Sequence, residues 1–207
     1  MEKKTKKESN SIISPKNPQI ILASSSKTRL NILENYNIVV NVKPHNVNEE
    51  EIKNNMKNKE PSKIVSLLAK LKAESLSDNF LNKTIIGSDQ ILVFQNKIYD
   101  KPRNLEQATN NLLKFQGNEH YLFSSIYILK NKKFIWKTTQ RAKIFMKKCS
   151  VEQIKEYVSL NNKTVLETVG SYRIEDDFLK KIIVLKGNKE TVQGFPIKKF
   201  INKLKIT

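Results

Sequence analysis

The segment IILASSSKTRLNILENY, residues 20–36, runs a short apolar stretch into Ser24, Ser25 and Ser26. It continues as a helical pattern with Arg29 one turn inside. A strand that feeds a serine loop and then a helix is suited to holding an anion. The first N–H groups of the helix lack partners and its dipole favours negative charge there. Ser24 and Ser26 add hydroxyl donors, and Arg29 adds a planar fork for phosphate oxygens. One serine capping a helix beside a surface arginine would give the same pattern, so this stretch alone leaves both readings open. A second cluster is IIGSDQILVF, residues 85–94, where Asp89 follows an apolar run and a Gly-Ser turn. A carboxylate there can project into a cleft, although an aspartate in an ordinary turn would look alike. In YDKP, Lys101 stands beside Pro102, which stiffens its loop, but one lysine in so basic a chain has no diagnostic weight.

Composition narrows the chemistry. The chain has 207 residues, 38% of them hydrophobic, enough for one domain, or two lobes around a cleft, with a real core. It holds one cysteine, Cys149, and two histidines, His45 and His120. An intrachain disulfide is therefore excluded, and a zinc site of the usual kind is not expected. Any metal should be a hard cation held by carboxylates and phosphates, Mg²⁺ or Mn²⁺. No apolar run reaches the ~20 residues of a membrane span. Residues 1–18 are charged without the apolar centre of a signal peptide, and read as a solvated basic tail on a cytoplasmic protein. The net charge of +18 would suit a polyanion partner such as nucleic acid. The chain is equally heavy in Asn and Ile, and its lysines are spread throughout, so the charge is read as compositional. The aromatics Tyr36, Phe94, Phe123 and Trp136, which an RNA- or DNA-binding surface would need, sit mostly within apolar strand patterns.

The elements that must position these residues follow from periodicity. Residues 20–23 read as a buried strand and 27–35 as a helix with Leu30 and Leu33 inward. VVNVKPHNVNEEEI reads as an extended segment ending in an acidic loop. A helix is expected over 62–76 behind Pro61, with Ile64, Leu67, Leu68 and Leu71 on its apolar face and Lys70 and Lys72 off its centre. KTIIGSDQILVFQNKIYDKP predicts a strand broken at Gly87, then two strands joined across QNK. Residues 104–116 predict a helix with a capping box of Asn104 and Gln107, an inward stripe including Leu105, and a stop at Gly117. From His120 to Phe145 the pattern is a hairpin turning at KNKK followed by a third strand. Ser150 and Gln153 cap another helix, VGSYRIEDD is a loop, FLKKIIVLKGN a strand and turn, and Pro196 opens a C-terminal helix. The class is α/β, a mixed sheet with flanking helices.

Taken in order, the segments LASSSKTRLNIL (22–33), VNEE (47–50), LAKLKAESL (68–76), IIGSDQ (85–90), KP (101–102), GNEH (117–120), VGSYRIE (169–175) and VQGFP (192–196) resemble the Maf family of nucleoside triphosphate pyrophosphatases. The similarity covers about residues 19–206. Each motif alone is weak, whereas the ordered set with compatible spacing is specific. The resemblance implies a two-lobed α/β fold with the active cleft between lobes. It also implies metal-assisted hydrolysis of a nucleoside triphosphate to the monophosphate and diphosphate. The catalytic aspartate of the family falls on Asp89, and its binding and supporting positions fall on Ser24, Ser26, Arg29, Glu49, Lys72 and Lys101. Mg²⁺ or Mn²⁺ would be held by Glu49 and Asp89. A homodimer is typical of the resemblance, and neither a membrane nor nucleic acid is implied as a partner.

The chain departs from the family pattern at Asn48, where an aspartate is common, at Asp100, where glycine precedes Lys-Pro, and at Lys27, where proline is common. Three positions bear on the nucleotide. Gln90 and Glu175 are similar to the branch acting on 7-methyl-GTP, while the branch acting on dTTP and UTP usually differs at both. A carboxylate at Glu175 can accept guanine N–H groups and favour the positive charge of N7-methylguanine. Thr28 falls where part of that branch carries Trp. Two other readings remain: a dTTP/UTP pyrophosphatase of the same family, and a non-catalytic member that binds nucleic acid or a division protein.

Overall fold

The computed structural model describes residues 19–56 and 58–204; the expected tail, residues 1–18, lies outside them. Strand β1 (Ile20–Ala23) is buried throughout and lies between β2 (Asn41–Lys43) and β3 (Thr84–Phe94), parallel to both. A strand covered on both faces needs a continuous apolar run, which IILA supplies. Helix α1 (Lys27–Asn35) follows, capped by Ser26, with Leu33 fully buried.

The acidic segment is not a loop. It opens α2 (Glu49–Asn55), whose cap is Asn48 and whose first turn is Glu49, Glu50 and Glu51. Carboxylates at a helix start are favoured by the dipole, a stronger local signal than their polarity. Helix α3 (Pro61–Glu74) buries Ile64, Val65, Leu68, Ala69 and Ala73 against the sheet. Lys72, expected beside that face, is buried with them at 3% exposure.

Strand β3 runs unbroken through Gly87 for 11 residues. The glycine marks a close approach rather than a turn. A Cβ there would lie 2.0 Å from the Ala69 carbonyl oxygen and 2.7 Å from the Ala73 nitrogen, so α3 can lie this low on the sheet only over glycine. Asp89 is accordingly a mid-strand residue, not one placed by a Gly-Ser turn. Beyond β3, Gln95 and Asn96 take positive φ and return the chain into β4 (Lys97–Tyr99).

Helix α4 (Leu105–Phe115) is capped by Asn104, but the Gln107 side chain accepts from the Arg103 N–H instead of closing the capping box, and Leu105 is 38% exposed. β5 (Glu119–Lys130) and β6 (Lys133–Met146) form one long hairpin, with Asn131 and Lys132 at positive φ in its turn. The strand and the additional strand expected after KNKK are the single β6. Its paired partner β5 imposes extension throughout, despite the polar stretch KTTQRAK in its middle.

Helix α5 (Val151–Leu160) carries the complete Ser150–Gln153 capping box, and a short α6 (Asn162–Glu167) follows. FLKKII lies mostly in α7 (Asp177–Ile182) rather than in a strand, and only β7 (Ile183–Lys186) extends. α8 (Lys189–Val192) and α9 (Ile197–Leu204) complete the order. The sheet runs β2-β1-β3-β5-β6-β7, with β4 on β3. The α/β class, a mixed seven-stranded sheet with flanking helices, is as expected.

Two features of this sheet make a site. First, β1 has parallel neighbours on both sides, so the chain leaves its carboxyl end at a switch point, where α/β sheets open a crevice. Second, β3 pairs with β1 only from Thr84 to Gly87 and with β4 only from Leu92 to Phe94. Between them, Ser88 to Ile91 are held by β5 alone, leaving one edge facing that crevice. One apolar cluster, including Phe94, Phe115, Ile144 and Tyr172, lies toward the far end of β3. Two others, one built on Ile20 and Leu22 and one on Ala69 and Ile85, lie at its near end. Among the described residues no helix is long and apolar enough to cross a membrane. Phe94 is core, Phe123 and Trp136 pack against apolar clusters, and Tyr36 is exposed, so these aromatics form no common stacking surface.

Candidate active site

A cleft of about 360 Å³ opens at the gap beside β3. Its lining includes each residue singled out from the sequence: Ser24, Ser26, Thr28, Arg29, Glu49, Lys72, Asp89, Gln90, Lys101 and Glu175. Residues far apart in the chain thus share one wall system.

The serine loop is held by its own arginine. Ser24 is buried, and its Oγ accepts from the Ser26 N–H at 3.2 Å and from Arg29 Nη1 at 3.0 Å. Arg29 Nη1 also donates to the Ser88 carbonyl at 2.9 Å, and Nε donates to the Gly194 carbonyl at 3.1 Å. Arg29 therefore ties the start of α1 to β3 and to the turn before α9. Both Nη2 hydrogens have no partner among the described residues and are available to an anion. Burial lowers the Arg29 pKa, opposed by Asp89 and Glu49, and the guanidinium stays charged.

At the cleft floor Lys72 reaches two carboxylates, Asp89 Oδ1 at 2.5 Å and Glu49 Oε1 at 2.7 Å. Helix α3 supplies the lysine, β3 the aspartate and α2 the glutamate. Lys72 has three N–H donors, so one remains for a substrate oxygen. For Glu49, burial would raise the pKa, but the His45 hydrogen bond and the Lys72 charge outweigh it and hold the carboxyl well below the usual range. His45 Nε2 lies 3.4 Å from Glu49 Oε1. Lys101, which also lines the cleft, has its ammonium pKa lowered by desolvation and by the Arg29 and Lys72 charges.

Asp89 is 3% exposed, and its Oδ2 is buried with no hydrogen-bond partner among the described residues. A buried carboxylate oxygen requires a partner, and a water or a hard cation is the chemistry that fits. Glu49 supplies a second carboxylate beside it. No group of three or more His, Cys, Asp or Glu in metal-binding array exists among the described residues. That donor set suits Mg²⁺ or Mn²⁺, which keep waters and take substrate oxygens, better than a metal needing a full protein cage.

The base-recognition candidates sit on the far wall. Gln90 donates through Nε2 to the carbonyls of Thr191 at 3.0 Å and Val192 at 2.8 Å, so it holds the α8 turn. Glu175 accepts from Gln193 Nε2. Behind this wall, Tyr172 OH pairs with buried His120 Nε2 at 2.7 Å, which anchors the 167–175 loop. Sequence reasoning missed His45, Lys53, Tyr172 and Gln193 as cleft residues. The spacing of Lys53, one turn after Glu49, is visible once α2 is known to be a helix, whereas His45 precedes the helix and meets Glu49 only through the path of the segment before it.

Comparison with known proteins agrees with this geometry. The family model described as "Maf-like protein" matches residues 19–207. A nucleoside triphosphate pyrophosphatase of Pelagibacter ubique is 33% identical over 190 residues, covering 91% of this chain and 97% of its own. A 7-methyl-GTP pyrophosphatase of Rhizobium etli is 27% identical over 190 residues, covering 91% of this chain and 96% of its own. One of the same description from Bartonella henselae is 29% identical over 186 residues, covering 90% and 94%. With a single family matched from the first described strand onward, and a cleft lined by residues of seven of the eight motifs carrying the likeness, the chain belongs to the Maf family.

Proposed function

We propose that the protein is a nucleoside triphosphate pyrophosphatase, hydrolysing its substrate to the monophosphate and pyrophosphate. The observation that carries this reading is the arrangement around Asp89. One oxygen is fixed by Lys72, the other is unpaired among the described residues, and the surrounding cleft presents the serine loop, Arg29 and Lys101. The relatives' names support it. The serine loop and Arg29 hold the phosphate chain at the start of α1, and Lys101 meets it as well. Asp89 Oδ2 accepts a proton as a water oxygen bonds to the α-phosphorus in line with the leaving group. The bond from that phosphorus to the bridging oxygen breaks, and pyrophosphate leaves with the electron pair. Glu49 and Asp89 are the residues to hold Mg²⁺ or Mn²⁺, whose contribution when bound is Lewis-acid polarisation of the phosphoryl group.

The substrate we infer is 7-methyl-GTP. Glu175 lines the far wall, where its carboxylate can accept guanine N–H groups and complement the cationic methylated ring. Gln90 acts on the base by holding the backbone that carries Gln193. Thr28 brings no ring to stack, so recognition on this reading rests on charge and hydrogen bonds. Residues 19–207 form the catalytic unit of a cytoplasmic homodimer. The test is pyrophosphate release with Mg²⁺ or Mn²⁺ from 7-methyl-GTP, GTP, dTTP, UTP and CTP, beside Asp89→Asn. Preferred turnover of 7-methyl-GTP that vanishes in the variant is expected. Preference for dTTP or UTP would replace the substrate but keep the reaction, and no turnover would favour a binding protein.

A further inference from the structure

Lys53 belongs to the cleft but not to any motif that carried the family likeness. It stands one helical turn after Glu49 on α2, and its side chain is only 14% exposed. Its charge faces Glu49 Oε2 at 3.8 Å and pairs with Asp100 Oδ1 across the cleft mouth. Asp100, in the segment between β4 and α4, is 63% exposed and directly precedes Lys101.

The two partners of this ion pair are held very differently. Lys53 is confined by the wall of the cleft, while Asp100 keeps most of its contact with water. A carboxylate that stays hydrated loses little on leaving such a pair, because exposed ion pairs contribute little net free energy. An incoming triphosphate offers more charge and several acceptor oxygens to the same ammonium. Of the other lining cations that hold an acceptor, Lys72 bridges Asp89 and Glu49, Arg29 ties together three backbone or hydroxyl oxygens, and Arg173 is paired with the largely buried Asp176. Among the ion pairs of the lining cations, Lys53–Asp100 has the most exposed carboxylate, the partner most readily exchanged.

We propose that Lys53 is a substrate-phosphate-binding residue and that Asp100 is its resident competitor, occupying the ammonium until the triphosphate displaces it. This rests on the reading of the cleft as a nucleoside triphosphate site. In the bound state Lys53 and Lys101 close on the phosphate chain from opposite sides of the mouth. Asp100 thus sets a threshold for polyphosphate entry that glycine at the same position would not.

Calorimetric binding of inorganic tripolyphosphate to the wild-type chain, K53M, K53R, D100N and the K53M/D100N double variant tests this without depending on turnover. Loss of the charge-assisted bonds should weaken binding roughly ten-fold or more in K53M, in both the native and D100N backgrounds. K53R should retain most of the affinity, and D100N should bind several-fold more tightly than wild type. In nucleotide hydrolysis, K53M should raise KM with little change in kcat, as expected for a contact made equally in ground and transition states. If Lys53 only holds α2 to the opposite rim, K53M and D100N will weaken binding alike and the double variant will be no worse than either. That result overturns the proposal. Absence of turnover by the wild type would instead overturn the pyrophosphatase reading, leaving tripolyphosphate binding to decide the role of Lys53.

Discussion

At the scale of single residues, the Lys72 bridge is where burial, charge and chemistry meet. Replacing Lys72 with Met leaves Asp89 and Glu49 facing each other without their cation. The expected loss is about 3–5 kcal/mol, read from urea unfolding at neutral pH, together with loss of turnover. Asp89→Asn removes the proton acceptor while keeping the shape, so kcat should fall roughly 10²–10⁴-fold with a much smaller change in unfolding free energy. His120 gives a separate signature in stability. Burial holds its imidazole neutral, with the pKa lowered from 6.5 to about 3. Between those values the unfolded chain binds the proton and the folded chain does not. Stability should therefore fall as pH drops below about 6.5, by about 1.4 kcal/mol per pH unit, until the loss is complete near the folded value. Glu49 is shifted downward from its own unfolded value of 4.5, and contributes only as pH falls below that. The interval from about pH 6.5 to about pH 5 thus isolates His120. His120→Gln, which can still meet the Tyr172 hydroxyl, should flatten urea unfolding free energies across it.

At the scale of elements, two local packing facts aim the functional groups. Gly87 lets α3 settle on β3, and Lys72 meets Asp89 only at that depth. Gly87→Val must push α3 away from the strand, because the obstructing atoms are backbone. The expected cost is about 3 kcal/mol or more, visible as a lower Tm, with kcat reduced in the fraction that still folds. Asn48 caps α2 by accepting from the Glu51 N–H at 3.3 Å, and its amide donates to Glu51 Oε2 at 3.1 Å. It therefore does for α2 what the family's aspartate can do, since Asn and Asp are equally good caps. Asn48→Asp should leave the Tm near wild type, whereas Asn48→Ala should cost about 1 kcal/mol and raise the metal concentration needed for half-maximal activity by loosening Glu49. The serine junction answers to the same kind of reasoning: Ser26 is the cap, and Ser24 is the hydroxyl that Arg29 grips.

At the scale of the whole molecule, the site lies where β1 ends between two parallel neighbours and β3 has a free edge, with walls from both ends of the chain. The fold closes on ion pairs and apolar clusters that need no metal, so chelation by EDTA should abolish turnover, reversibly with Mg²⁺ or Mn²⁺, while shifting the Tm little. Much of this is legible in the residues. The apolar run of β1 and the Ser26, Asn104 and Ser150 caps are local signals, as is the stripe of α3 with its Pro61 start. Each is decided within a turn or two by periodicity and by which backbone N–H needs a partner. The ordered motifs likewise point to Ser24, Ser26, Arg29, Glu49, Lys72, Asp89 and Lys101 as one constellation. What the residues alone misjudge are features decided by a distant neighbour. Gly87 reads as a break because the α3 backbone above it is invisible in sequence. Periodicity places Lys72 off the centre of its apolar face, because the two carboxylates that bury it come from other elements. The single strand β6 reads as two because only its long pairing with β5 keeps its polar centre extended. The sequence by itself determined most of the elements, the family and the chemical types in the cleft, since these depend largely on local propensity and motif order. Only the tertiary structure decided that Lys72 serves Asp89 and Glu49, that Gln90 holds a turn, and that Lys53 meets Asp100, because those are contacts between parts of the chain that approach only on folding.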